Sequence, residues 1–280
     1  MKTANKIALA RFAYKGIHIA RAMAGYSDQC VVQRDGVIFD LDLSQGIDFG
    51  IYLGMFERET KKALKRLVKP SSVVLDIGAN IGIHTMLLAE LVGPSGRVLS
   101  FEPTEYAVQK LRRNLDLNSR LAERVTLFHC FLAAKDEGDV PDSIYSSWPL
   151  TKSEGLHNKH LGQPMPTNAA PARSLDGILA ELNAPRVDLV KIDVDGFECE
   201  VLRGATALLR HSRPIFMMEL SPYVLEEHGS SLEELLSFFV PNGYRFFHER
   251  TGHQLPSVAA ELHRLVEDGE SMNVIARVVA

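Results

Sequence analysis

From residue 72 onward the apolar positions of the chain recur in a strand–helix–strand rhythm. Short, nearly continuous apolar runs over 72–77, 97–102, 124–130, 187–193 and 214–220 read as buried strands. The segments between them, near 82–92, 105–118, 174–183 and 197–210, carry apolar residues at helical spacing. Such alternation predicts an α/β fold, a parallel sheet with helices on both faces. Two further runs, 243–248 and 272–279, close the pattern and predict a seven-stranded, mostly parallel sheet with one antiparallel strand. Upstream, residues 5–24 read as a helix, and the runs 29–33 and 37–41 around Asp35-Gly36 read as a β-hairpin. A helix over 57–68 is closed by Lys69-Pro70. The pattern divides the chain into a small N-terminal helix and β-hairpin appendage, 1–55, and a main domain, 56–280. Residues 136–172, with Pro141, Pro149, Pro164, Pro166 and Pro171, form the one long irregular stretch. A loop of that length inside a domain is generally functional or disordered.

The first strand of the repeat breaks into a glycine turn, Val73-Val-Leu-Asp-Ile-Gly-Ala-Asn-Ile-Gly82, and the next strand ends in Glu102-Pro103. Strand, glycine turn, helix and a second strand ending in an acid is how an open α/β sheet holds a nucleoside, the acid taking the ribose hydroxyls. The glycines are spaced Gly78-x-x-x-Gly82, with Asn80 where a dinucleotide fingerprint has its middle glycine, and no G-K-[ST] phosphate loop is present. Asp76, at the strand end, is expected to face the crevice. A carboxylate there repels a pyrophosphate but suits a ligand carrying an ammonium and a sulfonium. S-adenosylmethionine fits that description, its adenosine toward Glu102 and its charged tail toward the Asp76 loop, with His84 lining the pocket. Three other accounts compete: a turn whose glycines serve packing alone, an NAD-dependent oxidoreductase, and a non-catalytic binding module.

Composition narrows the field. At 280 residues, 46% hydrophobic and 24% charged, the chain suits one large globular domain with an appendage. A formal charge of −4 lacks the basic surplus of a general nucleic-acid binder, so no nucleic acid is expected as partner. Cys30, Cys130 and Cys199 lie far apart without metal-ligand spacing, and their odd number suits a reducing, cytoplasmic compartment. In the N-terminal helix Ile7, Leu9, Phe12, Ile17, Ile19 and Met23 are interspersed with Lys2, Lys6, Arg11, Lys15 and Arg21. The charges interrupt any signal-peptide core, and no apolar run spans a membrane. Such a helix either packs on its own domain or makes peripheral contact with an anionic membrane through residues 5–24.

A second acidic cluster follows. The run Val187-Asp-Leu-Val-Lys-Ile-Asp193 continues through Val194, Asp195, Gly196 and Phe197 to Glu198, and the next strand ends in Glu219. Alternation places Lys191, Asp193 and, if the strand extends that far, Asp195 on one face. Acids at the carboxyl ends of successive strands face the ligand crevice. Burying them together costs energy unless a cation, a donor or a proton offsets it. One acid is then a candidate general base for an attacking hydroxyl. Alternatively Asp193 and Glu219 hold a divalent cation that lowers the hydroxyl's pKa. A purely structural account competes with both, in which Asp195 and Glu198 only cap the following helix and complement its dipole. His157 and His160 read as a solvated loop pair. Trp148 either packs the loop down or contacts an acceptor, notably a sugar face.

Taken together, Gly54-Met-Phe-Glu57, Val74–Gly82, Phe101-Glu-Pro103, Ser174-Leu-Asp176, Lys191–Glu198 and Val201-Leu-Arg-Gly-Ala205 resemble the FkbM-type family of S-adenosylmethionine-dependent methyltransferases. At Asp195 the family more usually has glutamate; the carboxylate is kept here on a shorter arm. The resemblance implies a Rossmann-like class I methyltransferase fold, with Asp76, Gly78, Asn80 and Gly82 around the methionine part of the cofactor and Glu102 on the ribose. It also implies O-methylation of a hydroxyl on a secondary metabolite, or on a sugar of a glycan or glycolipid. The expected chemistry is in-line displacement, with Asp193 first and Glu219 second as base or metal ligand and Asp195 as a further catalytic acid. The 136–172 loop lies outside the resemblance and is expected to set acceptor choice.

Overall fold

The apolar runs pair into a seven-stranded sheet in a computed structural model that describes residues 3–151, 153–159, 161–167, 170–184, 186–267 and 269–279, with side chains from residue 7 onward. Its spatial order is Tyr244–His248, Met272–Val278, Ile215–Leu220, Leu189–Ile192, Val73–Ile77, Arg97–Glu102, Val125–His129. Only Met272–Val278 runs antiparallel to both of its neighbours. The other neighbouring pairs are parallel, as the alternation predicts.

Strand alternation sorts the side chains into two cores. Leu75, Ile77, Val190, Ile192, Phe216 and Met218 face one apolar cluster, with Phe239, Tyr244 and Phe246. Val74, Val98, Leu189 and Met217 face the other, beneath the helix Ile83–Val92. On this second face three polar positions lie in register across adjacent strands, Lys191 beside Asp76 and Asp76 beside Ser100. Apolar strands thus deliver one polar row to the carboxyl edge of the sheet.

The N-terminal helix Thr3–Met23 and the hairpin Gln29–Arg34/Val37–Asp42 join the second core through Tyr14, Val37, Phe39 and Leu41. Two asparagines, at the end of the helix Glu105–Asp116 and just after it, act as a partner edge for the hairpin. Asn114 Oδ1 accepts from Asp40 N at 2.8 Å, and Asn118 Oδ1 accepts from Ile38 N at 3.0 Å. Asn114 also donates to Ile81 O at 2.8 Å, which ties the hairpin to the glycine turn.

Three expectations need correction. The helix expected over 197–210 is two, Glu198–Arg203 and Thr206–His211. They part at Gly204, where a Cβ would stand 2.2 Å from Ala133 O, so the close chain crossing outweighs helical continuity. The strand expected to reach residue 193 stops at Ile192, because Asp195 takes the left-handed region (φ 48°) and turns the chain. The irregular stretch 136–172 contains a hairpin, Ser143–Ser146 with Gln163–Pro166, and a short strand, Ala172–Arg173, beside Phe131–Leu132. Pro164 and Pro166 are tolerated there because a two-stranded hairpin has outward edges that need no donor.

Candidate active site

The glycine turn owes its shape to backbone freedom and to a near-collision. Gly78, Asn80 and Gly82 all have positive φ (78°, 47° and 93°), and Gly78 N and Ala79 N both donate to Phe101 O at 3.0 Å. A Cβ on Gly78 would lie 1.8 Å from Asp193 O. The packing role of this glycine and its place in a site are therefore one fact, since the close approach sets the turn beside Asp193. Asn80 donates from Nδ2 to Ser146 Oγ at 3.1 Å, fastening the 143–166 hairpin over the turn.

Glu102 is buried at the end of its strand. Its carboxylate accepts from Asn80 N (2.9 Å), Thr104 N (3.0 Å) and Thr104 Oγ1 (2.6 Å). Burial raises its pKa, and these three bonds oppose the rise. A carboxylate offers about four lone-pair sites, so three donors leave room for one more, which suits a ribose hydroxyl.

Asp76 departs from expectation. It is completely buried under the turn and lines no cavity. Its position in the second-face row points it at Thr85 Oγ1, which donates at 2.6 Å, with Ser100 Oγ donating to Thr85 Oγ1 at 3.2 Å. The Lys191 ammonium lies 3.8 Å from its other oxygen, which has no hydrogen-bond partner. Burial raises the Asp76 pKa, with Lys191 and Thr85 pulling against it.

Lys191 is the buried cation of the site, 3.1 Å from Asp193 Oδ2. Burial works against its charge, but Asp193, Asp76 and Glu57 outweigh burial and hold its pKa above the ordinary lysine range. A cavity of about 450 Å³ opens above it, lined among others by Glu57, His84, Asp193, Asp195, Glu219 and Trp148. The sequence-predicted acids therefore do converge. Asp195 is exposed to this crevice, and its pKa is raised well above the carboxylate range by desolvation in the cleft, then by Asp193, Glu219 and Glu198. Glu198 is drawn out of the site: it is buried and receives long contacts from Val194 N (3.4 Å) and Gly196 N (3.5 Å) at the start of its helix. These contacts are to the turn before the helix, and the expected side-chain cap is not made; burial first pushes the Glu198 pKa up to about 7.

Sequence reasoning gave Glu57 no role. It sits in the left-handed region (φ 41°) immediately before the helix Arg58–Leu67, an uncommon conformation for a non-glycine residue. Its Oε2 lies 3.2 Å from His84 Nε2. Burial first, then the charges of Asp193, Glu219 and Glu249, push its pKa up to about 8 against the pull of Lys191. His84 is buried, and burial followed by Lys191 and Lys61 keeps its pKa well below the ordinary range, so it is neutral. The signal available in sequence was Gly54-Met-Phe-Glu57, which fixed a position without a chemistry.

The donor set does not fit a divalent cation. Among the described residues no three His, Cys, Asp or Glu are disposed to hold a metal ion. The positive charge beside Asp193 is Lys191, and Glu219 is hydrogen-bonded by Ser271 Oγ. His157 is not a solvated loop histidine either: it meets Glu227 at 3.0 Å and packs edge-on to Tyr145 at 4.9 Å. His160 lies outside the described residues. All three cysteines are free, with Cys130 and Cys199 buried.

A second, narrow cavity of about 50 Å³ adjoins the first, with Glu102 at one end and Phe131, Leu132, Ile144 and Phe197 as apolar walls. An acid for ribose hydroxyls beside flat apolar walls for a base fits the nucleoside half of S-adenosylmethionine. Gly78, Asn80, Ser146, Asp193 and Asp195 line both cavities, so the narrow cavity opens into the acidic one.

The sheet order and this paired pocket at its carboxyl edge define a Rossmann-like fold of the class I methyltransferase type. The chain belongs to the FkbM methyltransferase family, whose Methyltransferase FkbM domain matches residues 76–246. It is 26% identical to the 2-O-methyltransferase NoeI of Sinorhizobium fredii, over 63% of this chain and 74% of that protein. To the 31-O-demethyl-FK506 methyltransferase FkbM of Streptomyces tacrolimicus it is 30% identical, over 49% of this chain and 60% of that one. The chain spans 58% of the length of Methyltransferase 1 of Beauveria bassiana and 8% of the synthetase AmbE of Pseudomonas aeruginosa. The solved FkbM methyltransferase of Methylobacillus flagellatus aligns at a TM-score of 0.43 and 16% identity, over 77% of this chain and 50% of that one.

Proposed function

We propose that the protein transfers a methyl group from S-adenosylmethionine to a hydroxyl of a sugar, glycan, glycolipid or secondary metabolite. The observation that carries this reading is the shared wall. Gly78, Asn80, Asp193 and Asp195 border both the Glu102 pocket and the acidic cavity, so a nucleoside held in one delivers its far end into the other. When bound, the cofactor supplies an electrophilic methyl on a sulfonium. The chain supplies the rest. Glu102 and the Gly78–Gly82 turn hold the nucleoside and its tail, and the crevice acids balance the positive charge brought in. The cavity lined by Trp148 would hold the acceptor with its hydroxyl toward the far end of the nucleoside. Alignment of this kind is worth roughly 7–11 kcal/mol at best.

Asp193, at the junction of the two cavities, takes the hydroxyl proton. A positioned base contributes about 10²–10⁴-fold. A second reading rests on the raised basicity of Glu57, whose pKa near 8 matches the requirement that a base be poised near the working pH. The acceptor is neutral or cationic at the reacting end, because five carboxylates (Glu57, Asp193, Asp195, Glu219 and Glu270) and one buried ammonium line its cavity. Two of the relatives named above, the 2-O-methyltransferase NoeI and the 31-O-demethyl-FK506 methyltransferase, carry names that support a hydroxyl acceptor.

Calorimetric titration with S-adenosylhomocysteine, beside NAD and a Glu102→Ala variant, tests the cofactor half. Micromolar binding of S-adenosylhomocysteine alone, weakened in the variant, is the expected result; binding of NAD instead would overturn it. Methyl transfer to a panel of neutral and uronic sugars then tests the acceptor half.

A further inference from the structure

The helix Thr3–Met23 has two apolar faces, and the protein uses one. Inward, Ile7 and Tyr14 are buried and Ala10, Ala13 and Ile17 pack on the second core. Outward, Leu9, Phe12, Ile19 and Met23 form a stripe at helical spacing with relative exposures of 61%, 80%, 49% and 85%. Gly16 lies within the stripe with nothing near it, and Tyr26, 66% exposed, extends it past the helix end. Large apolar side chains left this open on one face mark an interaction site.

Charge selects the occupant. Residues 1–27 hold Lys2, Lys6, Arg11, Lys15 and Arg21 and no acid, although the whole chain carries −4. A second copy of this helix would oppose like charges with nothing to answer them. An anionic lipid surface answers them and takes up the apolar stripe at once, as interfacial helices do. No helix of the described residues is long and apolar enough to cross the bilayer, so contact is with its surface. The helix is also joined to the cavity rim: Arg11 Nη2 donates to Pro149 O at 3.2 Å, next to Trp148.

We infer that the outward face of the Thr3–Met23 helix docks the protein on an anionic membrane surface, Phe12 and Met23 entering the headgroup–acyl boundary and Lys15 meeting lipid phosphates. This docking stands independently of the methyl-transfer reading.

Flotation of the full chain with phosphatidylcholine vesicles, with and without phosphatidylglycerol, tests it. The expected result is recovery with the anionic vesicles, at least tenfold weaker on phosphatidylcholine alone and reduced by high salt. The double variant Phe12→Ser/Met23→Ser should lose on the order of 100-fold in vesicle affinity, about tenfold for each exposed apolar side chain, with an unchanged melting temperature. Lys15→Glu should lose several-fold on anionic vesicles only. No flotation, or equal flotation of wild type and double variant, overturns the inference. So does a concentration-dependent dimer that the double variant abolishes, which would give this face to a second copy.

Discussion

The Lys191 ammonium sits 3.1 Å from the Asp193 carboxylate while its other flank lies 3.8 Å from fully buried Asp76. One buried cation thus serves an acid of the crevice and an acid of the core. Lys191→Met should be strongly destabilising, by about 3–5 kcal/mol, because it strands the Asp76 charge without a counterion. Adding Asp76→Asn to Lys191→Met should recover most of that loss, since an amide can still accept from Thr85. Denaturant unfolding of the two variants and wild type measures both; equal stability of the single and double variants would show that Asp76 does not depend on Lys191.

Glu57 gives a pH signature. Its folded pKa, about 8, lies above the value near 4.3 of a free glutamate. The associated stability is therefore fully present below about pH 4.3 and is lost as pH rises through about 8. Glu57→Gln removes that loss, so the variant should match wild type near pH 4 and melt higher than wild type at pH 9. If Glu57 is the base, the same variant loses 10²–10⁴-fold in turnover with cofactor affinity intact. If Asp193 is the base, Asp193→Asn carries that loss. Melting curves across pH and single-turnover rates separate the two.

The sheet was legible because buried parallel strands are written as apolar runs, and the seven runs lie within a residue or two of the observed strands. The glycine turn was legible for a local reason: Gly78, Asn80 and Gly82 each take positive φ that the sequence must permit. What escaped was set by distant contacts. Asp76 reads as a crevice acid until Thr85 and Lys191 are seen to enclose it from a helix and from a neighbouring strand. Glu57 meets His84 across 27 positions, and no periodicity reports such a pairing. The 143–166 hairpin is fastened by Asn80 to Ser146, a bond between a turn and a loop that composition marked only as irregular.

Glu102 should control the nucleoside. Glu102→Gln keeps one acceptor but turns an amide donor toward a backbone N–H, Asn80 N or Thr104 N, that now lacks a partner. A lost hydrogen bond to a charged group is worth about 1.5–3 kcal/mol, so S-adenosylhomocysteine affinity should fall roughly 10- to 100-fold. Glu102→Ala should fall at least as far and also loosen the turn. Calorimetry measures this directly; undiminished affinity in both variants would remove Glu102 from the nucleoside pocket.

Nucleoside entry should require the Ser143–Ser146 hairpin to move. The pocket walled by Ile144 and Glu102 offers about 50 Å³, against about 450 Å³ in the cavity it adjoins. The turn is tied to this hairpin by Asn80 Nδ2, which donates to Ser146 Oγ at 3.1 Å. Ser146→Ala removes that tie without adding bulk, so it should speed association of S-adenosylhomocysteine several-fold while changing its equilibrium affinity less. Stopped-flow binding reads the two separately. An unchanged association rate, with wild-type affinity, would mean that the pocket opens elsewhere along its wall.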